Sequence, residues 1–382
     1  MDFSYIEEQQ LLADSVNRFI EKEYDFEKRK AHLAAPEGFS RPAWNTMAEM
    51  GLIGLTVPGE YGGFGATTVD TMIVMEAIGR GLVVEPYFST AILGAKLIAL
   101  GAPESVKQSL LPQIVEGKLL IAVAYTERHS RYELANVALS AKKSGADYVL
   151  NGAKSVVLHG GTADRIIVSA RTSGSPRDAK GITLFMVERK SAGVTVRDYP
   201  TIDGLRAAEV MFKDVKTGPD AVIGAVDDGL SLLENVADIG IAALCAEAVG
   251  AMQSLNAATL EYLKTRQQFG VPIGRFQALQ HRMVEMVIHA EQAKSMACLA
   301  AVKCLSTDVA ERRRACSAAK ALIGQAGRYV GQQAIQLHGG MGMTNELNVG
   351  HYFKRLTMID STLGDTDFHI ARVGDAMLAA RA

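Results

Sequence analysis

Between Glu7 and Ile20 the apolar residues Leu11, Leu12, Val16, Phe19 and Ile20 recur at helical spacing, and from Arg41 to about Leu100 further stretches keep that period. The first block, residues 1–119, therefore reads as all-helical. From Leu119 the period changes. Short runs rich in Val, Ile, Tyr and Phe, broken by Gly, Asn, Asp and Pro, predict strands over 120–125, 148–150, 166–170, 182–187, 194–199 and 210–212, so residues 120–224 form a β unit. After Gly224 helical spacing returns, with one long helix over 230–265 and others over 276–305, 309–337 and 367–381; residues 225–382 read as a helical bundle. Strands segregated between two helical blocks give an α+β class. They exclude the alternating βαβ unit of a nicotinamide-binding fold, and no GxGxxG follows a strand and opens a helix.

The chain has 382 residues, 48% of them hydrophobic, enough to bury more than one core. Its formal charge of -2 gives no summed field that would gather nucleic acid or an anionic membrane, so a phosphate-bearing ligand needs a locally basic pocket. Cys245, Cys298, Cys304 and Cys316 lie on helical stretches without CxxC spacing or a partnering His cluster, and read as small hydrophobes rather than a disulfide framework or a metal site. The opening residues carry acids where a targeting signal would carry a basic region and an apolar run. The apolar stretch from Ile239 to Met252 is interrupted by Glu247 and is too short to span a bilayer. The expected location is the cytoplasm.

Candidate chemistry begins where the long helix ends, at Thr265-Arg266-Gln267-Gln268-Phe269-Gly270-Val271-Pro272-Ile273-Gly274-Arg275-Phe276-Gln277. The planar donor fork of Arg266 suits a pyrophosphate, Phe269 offers an apolar face, and Gln268 and Gln277 offer directed polar contacts. The alternative is an arginine that neutralises the negative end of its own helix. The glycine-rich pieces Tyr61-Gly62-Gly63-Phe64-Gly65 and His338-Gly339-Gly340-Met341-Gly342 sit at helix junctions, where turn and cap roles compete with ligand contact.

The segment from Arg266 to Gln277 resembles the RxQFGxPIxxFQ signature of the acyl-CoA dehydrogenases. Four other segments agree in order and spacing. Residues 50–63 are similar to the family's LGLxGLxxPxEYGG, and Tyr125-Thr126-Glu127 to the start of its TEPxAGSD loop. Leu150-Asn151-Gly152-Ala153-Lys154 with Ala163-Asp164 resembles its LNGxK strand pair, and Gln336 to Gly342 with Thr344 and Glu346 its QxxGGxGxTxE. The resemblance covers essentially the whole chain. It implies an N-terminal helical domain, a middle β-barrel or sandwich domain and a C-terminal four-helix bundle. It also implies FAD, with Thr126 at the flavin ring and with Arg266, Gln268, Phe269, Gln336, Gly339 and Gly340 on the cofactor of a neighbouring subunit. The implied reaction is α,β-desaturation of an acyl-CoA: a base takes the proton next to the thioester carbonyl and the flavin takes the β-hydrogen. The implied partners are an electron-transferring flavoprotein and further subunits, as a homo- or hetero-oligomer.

Three departures cluster at the reacting centre. Where the family commonly carries a base in a YEGT segment, this chain has Thr357 to Asp367: anchoring on Gly339-Gly340 puts Leu363 at that position, with Asp365 two residues beyond, and anchoring on Ile370-Ala371-Arg372 puts Asp360 there, so Asp360 and Asp365 are the candidate bases. Both also suit the cap of the following helix. The family's other base position falls near Gly240. Ser155-Val156-Val157-Leu158-His159 replaces xWITN, and Glu127-Arg128-His129-Ser130-Arg131-Tyr132 lacks the PxAGSD loop. In that loop Arg128, His129 and Arg131 are candidates for a substrate carboxylate or CoA phosphate, or are solvated surface charge. The pattern is similar to the small subunit of pimeloyl-CoA-type two-component dehydrogenases, which act on dicarboxyl-CoA or other bulky acyl-CoA substrates. Three roles follow: a competent flavoenzyme subunit, a structural partner that completes the FAD site of a large subunit, or a flavin monooxygenase or oxidase on the same scaffold.

Overall fold

A computed structural model describes residues 5–379. Helices α1 (Glu7–Glu23), α2 (Phe26–Ala34), α3 (Arg41–Glu49) and α4 (Thr68–Gly81) come first, then a π-helical stretch, Phe88–Gly94, that runs into α5 (Ala95–Gly101), then α6 (Glu104–Val115). The strands are β1 (Ile121–Ala124), β2 (Ser140–Ser144), β3 (Asp147–Leu158), β4 (Arg165–Arg171), β5 (Ile182–Glu188), β6 (Val194–Pro200), β7 (Arg206–Thr217) and β8 (Val222–Ile223). Helix α7 (Gly229–Thr265) leads to a two-stranded hairpin, β9 (Gln267–Gln268) and β10 (Val271–Pro272). Then come α8 (Gln277–Lys303), α9 (Val309–His338), α10 (Val349–Ser361) and α11 (Thr366–Ala379). The helix expected over 367–381 is α11; Arg381, like the opening Met1-Asp2-Phe3, lies outside the described residues.

Two compact units result. One comprises residues 5–31, 67–83 and 241–379, the other residues 32–66 and 84–240. The helical block expected over 1–119 is thus shared between them.

In the helical unit, Thr67 opens α4 with its hydroxyl accepting from the Val69 amide while Asp70 accepts from the Thr67 amide at 2.8 Å, a reciprocal cap. The Gln9 amide donates to the other oxygen of Asp70 at 3.0 Å and ties α1 to α4. Asp308 caps α9 by accepting from the amides of Ala310 and Glu311. Among the described residues α7 is the one helix long and apolar enough to cross a membrane. Since 78% of its most apolar window is buried, it is the core helix of a folded bundle. It crosses α4 at Gly79 and Gly250: a Cβ on Gly79 would run into the Glu247 carbonyl, and one on Gly250 into the Glu76 carbonyl. One turn away Arg355 of α10 makes a two-pronged pair with Glu247, at 2.5 and 2.8 Å, with both side chains buried.

The other unit is built on an eight-stranded sheet of order β6-β7-β3-β2-β4-β5-β8, with β1 parallel to β4. Inward residues from β1 at one place and from β7 and β8 at others meet in one core cluster, with Leu150, Ile166, Val168, Phe185, Val210 and Val215 at its centre, so the sheet curls around them. Helices α3, α5 and α6 belong to this unit. Trp44 is fully buried and donates to the Gly117 carbonyl at 2.9 Å, joining α3 to the turn after α6. Thr90, within the π-helical stretch, exchanges hydrogen bonds with the amide and carbonyl of Ile121 and fixes the start of β1. β2 and the polar half of β3 were not evident from residue types. β3 stays extended through Asn151–Lys154 because β2 pairs with it as far as Asn151 and β7 pairs with Gly152, Ala153 and Lys154, with irregularities at Gly152 and before Val157.

Candidate functional site

In the β unit, Thr126 follows β1 and is half-buried. Its carbonyl accepts from the Ser155 amide at 2.9 Å, so the Thr126 turn is stitched to β3 at the segment that departs from the family pattern. The next residue explains why this turn holds. Glu127 is buried and binds the Lys154 ammonium at 2.7 Å and the amides of Ala138 and Leu139 at 3.1 and 3.2 Å. Lys154 is fully buried and also donates to the Ser169 hydroxyl at 2.9 Å; burial pushes its ammonium down to about 8, against the pull of Glu127. One buried pair thereby joins β3, β4 and the loop before β2. Val156, where the family has an aromatic residue, is exposed and holds a φ of 52°, a conformation that costs a β-branched residue strain. Arg128, His129 and Arg131 are exposed. The loop they occupy is anchored further along by Arg171, whose guanidinium donates to the carbonyls of Ala135, Pro176, Asp178 and Lys180 at 2.7 to 2.9 Å.

Glu85 belongs to the same unit and was not singled out by sequence. Burial pushes its carboxyl up to about 7; one oxygen accepts from the Ser40 amide at 3.1 Å, and the other is buried without a partner.

In the helical unit, the Arg266 amide still bonds to the Tyr262 carbonyl at 2.8 Å, which places Arg266 at the C-terminal end of α7. The hairpin β9–β10 follows, turning through Phe269 (φ 54°) and Gly270 (φ 79°), the pair of left-handed residues that a type I′ turn requires. Phe269 is 90% exposed at the tip, its ring 6.0 Å from that of Phe276. Arg266 and Gln268 are exposed too. Gln336, Gly339 and Gly340 mark the end of α9, and the Tyr262 ring stacks on the His338 ring at 4.3 Å, so the structure brings these two groups of candidates together.

Asp360 and Asp365 lie elsewhere on that unit, beside a more N-terminal part of α9. Lys320 and Arg328 reach them from α9, and Lys320 is 16 residues before Gln336, roughly 24 Å of helix at 1.5 Å per residue. Asp360 is fully engaged: one oxygen accepts from the amide and hydroxyl of Thr366 at 3.2 and 2.9 Å, the other from Arg328 at 3.2 Å. Gly324 makes room for it, because a Cβ there would run into the Asp360 carboxylate and the Thr366 hydroxyl. Asp365 caps α11 with one oxygen, which accepts from the Phe368 amide at 2.9 Å. The turn between them is pinned by Lys320, which is fully buried and donates to the carbonyls of Asp360 and Gly364 at 2.8 and 2.6 Å. Burial pushes its ammonium down to about 8. Gly240, at the alternative base position, is a helical residue of α7.

The residues of the helical unit fit the diphosphate half of FAD. Among the described residues the Arg266 guanidinium makes no ion pair, and a Cβ on Gly339 or Gly340 would meet nothing within 4 Å, which leaves an open peptide surface for close approach. Gly339 has φ 59° and ψ -140°, a conformation that glycine tolerates.

Family models described as acyl-CoA dehydrogenase N-terminal, middle and C-terminal domains match residues 6–118, 122–215 and 227–378. The chain is 28% identical over 373 residues to a probable acyl-CoA dehydrogenase, YngJ, of Bacillus subtilis, covering 96% of this chain and 97% of that one. Among solved structures it is similar to the FAD complex of PigA (25% identity, TM-score 0.91, all of both chains). It is also similar to the Tcur3481-Tcur3483 steroid ACAD variant (25% identity, TM-score 0.87, 98% of this chain and 99% of that one).

Proposed function

The chain belongs to the acyl-CoA dehydrogenase family of flavin-dependent oxidoreductases, with FAD as cofactor, and on that premise we propose that it desaturates an acyl-CoA as one subunit of a heteromeric dehydrogenase. The observation that carries the subunit role is the cluster at the ends of α7 and α9. Arg266, an exposed aromatic hairpin and the open Gly339-Gly340 surface sit together, all turned to solvent, and among the described residues the Arg266 guanidinium makes no ion pair. Such a cluster serves a cofactor shared with an adjoining subunit. The similar Tcur3481-Tcur3483 steroid ACAD, which joins two proteins, supports a two-component assembly. A dicarboxyl-CoA or similarly bulky substrate suits the exposed Arg128, His129 and Arg131, and an electron-transferring flavoprotein in the cytoplasm is the acceptor.

Bound FAD supplies hydride acceptance at the flavin ring. This chain's residues do the rest. Arg266 and the amides near Gly339 would hold the diphosphate of an adjoining subunit's FAD, and Thr126, in a turn that Glu127 and Lys154 hold still, would hold the flavin ring. Asp365, which spends one oxygen on its cap, is the better base for the proton next to the thioester; Asp360 spends both.

A second reading, in which the chain completes the FAD site of a catalytic partner without a base of its own, is favoured by the capping roles of both aspartates. The test is co-purification with neighbouring gene products, then anaerobic acyl-CoA titration of the flavin in wild type, Asp365→Asn and Asp360→Asn. Bleaching lost only in Asp365→Asn supports the first reading. Equal bleaching in all three removes both aspartates and leaves the second. Flavin that the acyl-CoA leaves yellow, that a nicotinamide co-reductant bleaches and that oxygen turns yellow again would point to the monooxygenase.

A further inference from the structure

Two of the four cysteines face each other across the turn that joins α8 to α9. Cys304 caps the end of α8 and is partly exposed, Cys316 is two turns into α9 and fully buried, and their sulfurs are 3.6 Å apart. The turn between them is held independently. Lys303 pairs with Glu311 at 2.6 Å, Ser306 donates to the same carboxylate at 2.8 Å, and Asp308 caps α9. The facing thiols therefore do not depend on a mobile loop.

We propose that Cys304 and Cys316 are a reversible oxidation site that a hydroperoxide converts to a disulfide, tying α8 to α9. The order of events follows from access. The Cys304 thiolate attacks the peroxide O–O bond and becomes a sulfenic acid, releasing an alcohol or water. Cys316 then displaces the sulfenic oxygen as water, so two thiols and one hydroperoxide give one disulfide, one water and one further water or alcohol. A disulfide needs its sulfurs at about 2.05 Å, so the pair must close by roughly 1.5 Å, within reach of side-chain rotation. The other two cysteines serve as internal controls. Cys245 is fully buried on α7 and burial pushes its thiol up to about 12, which keeps it protonated; Cys298 is half-buried, earlier on α8. The surface cluster around Phe269 belongs to the cofactor site already described.

The experiment treats the purified full-length protein, with its flavin, with hydrogen peroxide, blocks free thiols by alkylation, and reads intact mass and peptide maps. The expected product is lighter by two hydrogens, contains a Cys304–Cys316 peptide, melts a few degrees higher than the reduced protein, and reverts with dithiothreitol. Cys304→Ser and Cys316→Ser each abolish the product, while Cys245→Ser and Cys298→Ser keep it. Should Cys316→Ser fold poorly, the partly exposed Cys304→Ser carries the comparison alone. A sulfinic acid on Cys304 with Cys316 still alkylated only after unfolding, or a link that includes Cys245, overturns the proposal.

Discussion

Replacing Glu85 with Gln tests how much a buried carboxyl with one orphan oxygen costs the fold. In the unfolded chain this group titrates near the ordinary 4.5; in the folded protein burial moves it up to about 7. Below the lower value both states hold the proton, and the neutral group contributes its full stability. Between the two values the folded state keeps a proton that the unfolded state has lost, so stability falls as pH rises, by roughly 1.4 kcal/mol per pH unit. The loss is complete above the folded value and amounts to about 3 kcal/mol. Glutamine keeps the acceptor for the Ser40 amide and never ionises, so Glu85→Gln should match wild type near pH 4.5 and exceed its stability by about 3 kcal/mol near pH 8. The assay is urea unfolding followed by the fluorescence of Trp44, the sole tryptophan, buried in the same unit as Glu85. A difference between the two proteins that stays constant across this pH range refutes the reasoning.

Arg266→Ala should weaken FAD retention by roughly 10- to 100-fold, the worth of a charged two-pronged contact, while Arg266→Lys keeps the charge without the fork and recovers only part; flavin absorbance per protein chain reads both. Glu247→Gln leaves the Arg355 guanidinium buried beside a neutral partner and should cost about 3–5 kcal/mol in thermal or urea unfolding, far more than loss of a surface pair such as Lys264 with Glu261. Gly324→Ala should cost about 1–3 kcal/mol and displace Asp360 and Thr366, checked by unfolding together with amide exchange at the start of α11.

The order of helices, strands and helices was legible from periodicity because each block holds several elements long enough to repeat their pattern. The strands that escaped notice are those whose partners, not their residues, hold them extended. β2 reads Ser-Ala-Lys-Lys-Ser and buries Ala141 alone; it is a strand because β3 lies alongside and the Glu127 carboxylate grips the two amides before it. Helix α10 buries Val349, Tyr352, Leu356 and Ile359 at helical spacing, but its start is masked by the turn-forming residues around Gly342 and Asn348. At the site, Arg266, Phe269 and Gly339 stand out because their chemistry is local to a short motif. The supporting pairs do not: Glu127 and Lys154 are 27 residues apart, and Glu247 and Arg355 are 108 apart. No spacing rule links such positions until the chain has folded. Asp360 and Asp365 show the limit from the other side, since an acid before a helix has the same residue type whether it caps or catalyses.

The glycine pair where α4 meets α7 sets a datum for the whole helical unit. With no side-chain layer between the two backbones, each helix has one depth and one axial offset open to it, much as a dowel fixes two timbers. Residues farther from the pin are free to drift in size as long as their neighbours compensate. At positions 79 and 250 a saturation library selected for folding should return glycine alone.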